Sequence, residues 1–147
     1  MGMTRRITPT RSWARRPLGA GAILVVVLCS RSMAQDARTV ADNVYSETQA
    51  QNGAQLYDKK CASCHDGGTM GPELWGSAFL ERWRKKDAEA LYKTIVDTMP
   101  QEAPGTLSEA DTLNVIAYIL QQNEFAPGSS ALVTRKQLAG MKFPPAK

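Results

Sequence analysis

The stretch that decides the fold is Cys61-Ala62-Ser63-Cys64-His65, in which two cysteines three positions apart are followed at once by a histidine. The third cysteine, Cys29, lies near the N-terminus, and His65 is the only histidine of the chain. A protein of 147 residues has room for one domain with one core. Whatever the motif does is therefore done by a single compact unit or by a group that it holds.

The spacing is CxxCH, the pattern of covalent haem c attachment. Two thiols this close can add to the two vinyl groups on one edge of a porphyrin, while the next residue places its imidazole beneath the ring. The covalent link then holds the cofactor without a large enclosing pocket. The motif therefore predicts one covalent haem c per chain, bound through Cys61 and Cys64, with His65 as an iron ligand.

Two other uses of a cysteine pair compete with haem attachment. A thiol-disulfide enzyme requires a thiol of lowered pKa, usually at a helix start after a strand, whereas here a helix is predicted before the pair. A zinc site requires about four ligands, usually from two separated pairs, and residues 35–147 contain no further Cys or His. These interpretations, and a chance occurrence in a loop, are weaker than haem attachment.

A second axial ligand cannot be another histidine of this chain, so we consider methionine. Met70 follows His65 by five residues, too few to return on the other face of a porphyrin, and Met141 lies in the C-terminal tail. Met99 follows His65 by 34 residues and is held in a turn by Pro100. We therefore expect His65 and Met99 as the metal ligands, with core filling by Met99 as the alternative.

The N-terminus has the three parts of a secretory signal peptide. Five arginines up to Arg16 precede an apolar run at 18–29, and Ser32-Met33-Ala34 resembles a cleavage site. The run of 12 residues is shorter than the ~20 that a helix needs to span a bilayer. We predict a cleavable signal peptide at 1–34, export to the periplasm and no stable membrane insertion.

The net charge is counted for residues 35–147, because the predicted signal peptide is removed. Six of the 18 basic residues and none of the 14 acidic ones lie before residue 35, which leaves 12 basic against 14 acidic residues. This balance lacks the basic excess that nucleic-acid binding needs, so we predict no nucleic-acid partner. One basic cluster is interpreted as a solvated face, with a docking patch as the alternative: Arg82, Arg84, Lys85 and Lys86.

Apolar periodicity and capping residues predict an all-α fold, because no stretch alternates with the period of a strand. Ser46, Asp87 and Ser108 are predicted N-caps of three helices. Beyond the signal peptide we expect a flexible lead at 35–45, the main domain at 46–130 and a tail at 131–147.

From about Gln49 to Ser130 the residues resemble class I cytochrome c. The matching elements occur in order: Gly53 and Tyr57, the CxxCH motif, Gly71-Pro72-Glu73-Leu74, Met99-Pro100 and Ala117-Tyr118-Ile119-Leu120. The resemblance implies an all-α, class I cytochrome c-like fold with three to five short helices wrapped around one covalent haem.

The resemblance also implies particular contacts. The first and last helices should cross near Gly53 and Tyr118. The Pro72 carbonyl should accept a hydrogen bond from His65. Trp83 resembles the tryptophan that contacts a haem propionate, and packing against Phe79 is the alternative.

The stretch from Met99 to Gly128 is similar to the cytochrome domains and partners of quinoprotein (PQQ-type) alcohol dehydrogenases. The resemblance implies a single-electron carrier, not an enzyme, between a dehydrogenase or respiratory complex and a terminal acceptor. A PQQ-dependent dehydrogenase is the candidate donor, and an oxidase or reductase is the candidate acceptor. The alternative is a haem enzyme or gas sensor with an open sixth iron position, which would follow if the bond from Met99 failed.

Overall fold

The computed structural model describes residues 38–68 and 70–144, and the predicted signal peptide lies outside them. Within these residues the fold is all-α, as expected, and no helix is long and apolar enough to cross a membrane. The helices are α1 (Glu47–Lys60), α2 (Ala62–His65), α3 (Gly76–Trp83), α4 (Ala88–Thr98) and α5 (Glu109–Gln122), with 3-10 turns at Asp66–Gly68 and Arg135–Leu138.

Side-chain caps begin three of these helices at the predicted residues. Ser46, Asp87 and Ser108 each accept a hydrogen bond from the backbone N–H three residues ahead, at 3.3, 2.9 and 3.1 Å. Each cap satisfies a first-turn N–H that has no partner within its helix. The three predicted N-caps are confirmed.

The helices α1 and α5 cross at Gly53. A Cβ at this position would lie 1.9 Å from the carbonyl oxygen of Asn114 and 2.9 Å from the Cβ of Tyr118. Only a residue without a side chain allows the two backbones to approach so closely. The crossing expected near Gly53 and Tyr118 is confirmed.

The segments on either side of the predicted domain belong to its core, which corrects the expectation of a flexible lead and a separate tail. Val40 and Tyr45 are fully buried, as are Leu138 and Met141. The Val40 N–H donates to the carbonyl of Lys142 at 2.9 Å, so the two segments also contact each other. Local periodicity missed them because isolated apolar side chains bury here against elements that are distant in the sequence.

Gln49 fastens the C-terminal segment to α1. Its side-chain amide donates to the carbonyl of Leu132 at 2.7 Å, and its side-chain carbonyl accepts from the Leu132 N–H at 2.9 Å. Both bonds are buried, so each polar group finds its partner away from water.

We expect Gly53→Ala to lower the free energy of unfolding of the haem-loaded protein by about 3 kcal/mol, because α1 and α5 must separate to admit a methyl group. Urea unfolding followed by circular dichroism measures the change. The matched control is Asn52→Ala at an exposed position of the same helix, for which we expect a change within about 0.5 kcal/mol. Equal effects of both substitutions would contradict the role of the crossing.

We expect Gln49→Ala to cost about 2 kcal/mol, because it leaves the N–H and the carbonyl of Leu132 buried without partners. Gln51→Ala is the control, since the Gln51 amide reaches only Glu47, at 3.3 Å on the exposed side of α1. Thermal unfolding of the two variants compares them directly. An unchanged midpoint for the Gln49 variant would show that the C-terminal segment is held by other contacts.

Candidate functional site

The helix α1 runs directly into the cysteine motif. The N–H of Cys61 donates to the carbonyl of Tyr57 at 2.8 Å, and the chain then begins α2. The N–H groups of Cys64 and His65 both donate to the carbonyl of Cys61, at 3.1 and 3.0 Å. One turn of helix therefore presents two thiols and an imidazole to the same cavity.

This cavity encloses about 730 Å³ of empty space, counting the part that opens to solvent. Five of the six predicted cofactor-binding residues line it: Cys61, Cys64, His65, Pro72 and Met99. Aliphatic side chains form much of the remaining wall: Leu74, Ile95, Leu107, Val115 and Ile119. Apart from Pro72, its exposed lining residues mark the mouth: Lys60, Met70, Gln101 and Glu102.

His65 is buried, and its Nδ1 lies 2.7 Å from the carbonyl oxygen of Pro72. A carbonyl only accepts hydrogen bonds, so Nδ1 carries the proton and Nε2 keeps a free lone pair. Such a contact fixes the orientation and the tautomer of a metal-binding histidine. The hydrogen bond implied by the resemblance is present.

Gly71 is a site residue whose role sequence reasoning missed. A Cβ here would lie 2.8 Å from Cε1 and 2.9 Å from Nδ1 of His65. The Gly71 N–H donates to the carbonyl of Cys64 at 2.8 Å, which folds the loop over the imidazole. The missing side chain lets Pro72 reach the ring, and the Gly-Pro pair was the sequence signal for this close approach.

Asn123 anchors the far end of the same loop and was also missed. Its side-chain oxygen accepts from the Gly76 N–H at 3.0 Å, and its side-chain nitrogen donates to the carbonyl of Leu74 at 3.0 Å. Asn123 follows the last residue of α5, so this contact ties the loop to the central helix pair. A single asparagine after a helix carries no local signal of such a partner.

Met99 enters the cavity from the end of α4. Its N–H donates to the carbonyl of Ile95 at 2.8 Å, and its backbone is extended, with φ −125° and ψ 151°. Pro100 disfavours a helical conformation for the residue before it. The half-buried Met99 side chain therefore shares one cavity with His65, although the two residues are distant in the sequence.

Trp83 is not among the residues that line the cavity, and its contacts match the alternative of packing against Phe79. Its ring centroid lies 6.1 Å from that of Phe79 and 6.3 Å from that of Phe143. The Nζ atom of Lys86 lies 4.7 Å from the same centroid. The physical reason is that Phe143, from the segment interpreted as a tail, completes an aromatic cluster that takes Trp83 into the core.

The environment of Cys61 argues against the thiol-disulfide alternative. Burial raises the pKa of the Cys61 thiol to about 11, and nearby Cys64 adds to the effect. A redox-active thiol needs the opposite shift, because the thiolate is its nucleophile. Zinc is disfavoured as well, since the described part of the chain has no group of three or more His, Cys, Asp or Glu side chains that could hold an ion.

The residues of the cavity fit a haem c. Two thiols on one helical turn match the two attachment points of the porphyrin edge, and a fixed imidazole and a thioether are both iron ligands. The aliphatic walls suit the apolar macrocycle.

Comparisons with known proteins agree with this fit. The family model described as Cytochrome C oxidase, cbb3-type, subunit III matches residues 48–119. Cytochrome c6 of Synechococcus sp. (strain ATCC 27167 / PCC 6312) is 33% identical over 78 residues, which are 49% of this chain and 69% of that protein. No solved structure gives a significant match to the chain.

We expect Gly71→Val to push the imidazole away from Pro72 and to weaken its binding to iron by about tenfold or more. A histidine that no longer donates from Nδ1 is a weaker electron donor, so the reduction potential of the haem-loaded protein should rise. Pro72→Ala is the control, because it keeps the accepting carbonyl. A redox titration compares the variants, and a larger rise for the Pro72 variant would contradict this role of Gly71.

Proposed function

The chain belongs to the c-type cytochrome family, with one covalently bound haem c, and from that premise we propose that it is a single-electron carrier. The observation that carries the proposal is one cavity lined by a CxxCH turn, a histidine fixed through Nδ1 and a methionine thioether. When bound, haem c supplies a one-electron iron couple.

Each site residue has a role in this proposal. Cys61 and Cys64 hold the haem through thioether bonds, while His65 Nε2 and Met99 Sδ are the two iron ligands. A methionine and histidine pair favours a higher reduction potential than harder ligand sets. The aliphatic wall excludes water and lowers the local polarity, which also affects the potential.

Restraint of both ligands suits electron transfer. The ring of His65 is held by Pro72 at 2.7 Å, and the backbone of Met99 is held by Ile95 at 2.8 Å. Donors that keep their positions in both oxidation states require little reorganisation when an electron moves. Two protein ligands also leave no iron position open to a substrate, so we assign no catalytic residue.

A redox partner would approach at the mouth of the cavity. The exposed charged residues of its lining are Lys60 and Glu102, of opposite sign, and Met70 adds an apolar side chain that is 72% exposed. Such a mixed and small surface suits a transient complex of ~1,200 Å² or less.

The resemblance of 99–128 supports a PQQ-dependent dehydrogenase as donor. We propose an oxidase or reductase as acceptor, and the matching family description, which names an oxidase subunit, supports an oxidase. The leader pattern supports export to the periplasm with removal of 1–34. Mass spectrometry of the exported protein should then give residues 35–147 plus one haem, whereas a polypeptide without added mass would refute the covalent attachment.

We expect Met99→Ala to lower the reduction potential by on the order of 0.1 V, because the iron loses its thioether ligand. The far-red absorption band of a methionine–iron bond should disappear, and the reduced protein should bind carbon monoxide. Met70→Ala is the matched control, since Met70 lines the same cavity but is exposed.

Absorption spectra and a redox titration of the two variants are sufficient for this test. An unchanged potential in the Met99 variant would remove Met99 from the iron. Rapid carbon monoxide binding by the unaltered reduced protein would favour the haem enzyme or gas sensor instead of the carrier.

A further inference from the structure

Three separate backbone segments meet at the N-terminal end of α4. The N–H of Lys142 donates to the carbonyl of Arg38 at 2.8 Å, and an isolated β-bridge pairs Lys142 with Asp87. The N–H of Ala88 donates to the carbonyl of Met141 at 2.9 Å. These contacts bring together four basic residues from distant parts of the sequence, called here the basic face: Arg38, Lys85, Lys86 and Lys142.

The basic face keeps a net positive charge. All four side chains are exposed, and within 38–68 and 70–144 none of them forms an ion pair. The nearby carboxylates of Asp87 and Asp42 accept backbone hydrogen bonds at 2.9 and 2.7 Å but keep their negative charge. Four basic residues against these two carboxylates leave a net charge of +2. Arg84 forms an ion pair with Glu81 at 2.6 Å, so these two opposite charges add nothing to the net charge of the surface.

The rest of the surface has the opposite sign. Residues 38–144 contain 11 basic and 13 acidic side chains, so away from the basic face and from Asp42 and Asp87 seven basic residues stand against 11 acidic ones. A molecule with its charges separated in this way turns one face toward a negatively charged surface and is repelled through its others.

The basic face is remote from the mouth of the cavity. Lys85 and Lys86 precede α4 and Met99 follows it, and the 11 residues of this helix span about 16 Å. A surface bound at the basic face therefore leaves the mouth accessible to a redox partner.

We infer that the basic face binds the anionic headgroups of a phospholipid membrane and holds the cavity mouth toward the aqueous side. A headgroup layer attracts clustered lysines and arginines without a fixed register, which suits four exposed side chains on three segments better than an acidic protein would.

Vesicle binding of the purified, haem-loaded protein tests this inference. Vesicles of phosphatidylcholine alone are compared with vesicles that also contain phosphatidylglycerol, and the bound fraction is measured by sedimentation. We expect binding to the anionic vesicles only, weakening as salt is added. A retained leader would insert into both kinds of vesicle, so the neutral vesicles separate insertion from binding through the basic face.

The decisive variant combines Lys85→Gln, Lys86→Gln and Lys142→Gln. Each lost charge should weaken binding about fivefold, and the three together on the order of a hundredfold. The control combines Lys59→Gln, Lys60→Gln and Lys93→Gln, which remove the same charge from other exposed positions and should leave the affinity nearly unchanged. Absorption spectra and unfolding midpoints establish that both variants fold.

Equal binding to both kinds of vesicle, or equal losses in the two triple variants, would overturn the inference. Tighter binding to polyglutamate than to the anionic vesicles would overturn it in favour of an acidic protein partner. The reduction potential is not measured in this experiment, so its failure would not affect the proposed electron-carrier function.

Discussion

The hydrogen bond from His65 Nδ1 to the carbonyl of Pro72 is the constraint on which the site depends. It selects the tautomer that leaves Nε2 free, and it requires the loop after α2 to return to the imidazole within seven residues. Gly71 makes that return possible because it places no side chain against the ring. Asn123 holds the far end of the loop, so the histidine is positioned by α5 as well as by its own turn.

The other helices place the remaining site residues around this fixed imidazole. The crossing at Gly53 sets α1 against α5, and α1 then supplies both thiols at its end. The end of α4 supplies the thioether of Met99, while the aliphatic wall keeps the space between them apolar.

Local chemistry explains which features could be predicted from the sequence. The caps at Ser46, Asp87 and Ser108 act within one helical turn, and the cysteine motif is contiguous. Both kinds of feature can therefore be predicted from residues that are adjacent in the sequence. The packing of Val40 and Phe143 depends on partners far along the chain, and so does the position of Trp83. Isolated apolar residues carry no periodic signal, and for that reason the outer segments were wrongly separated from the core.

The pairing of Thr39 with Lys142 has a consequence for how such a domain can be used. Both ends of the described chain leave the molecule side by side, next to the start of α4 and away from the cavity mouth. A unit with adjacent ends can be spliced into a longer polypeptide or joined to a neighbour at either end with little disturbance of its interior. This architecture is modular, and fusion to another protein at either end would leave the cavity mouth exposed.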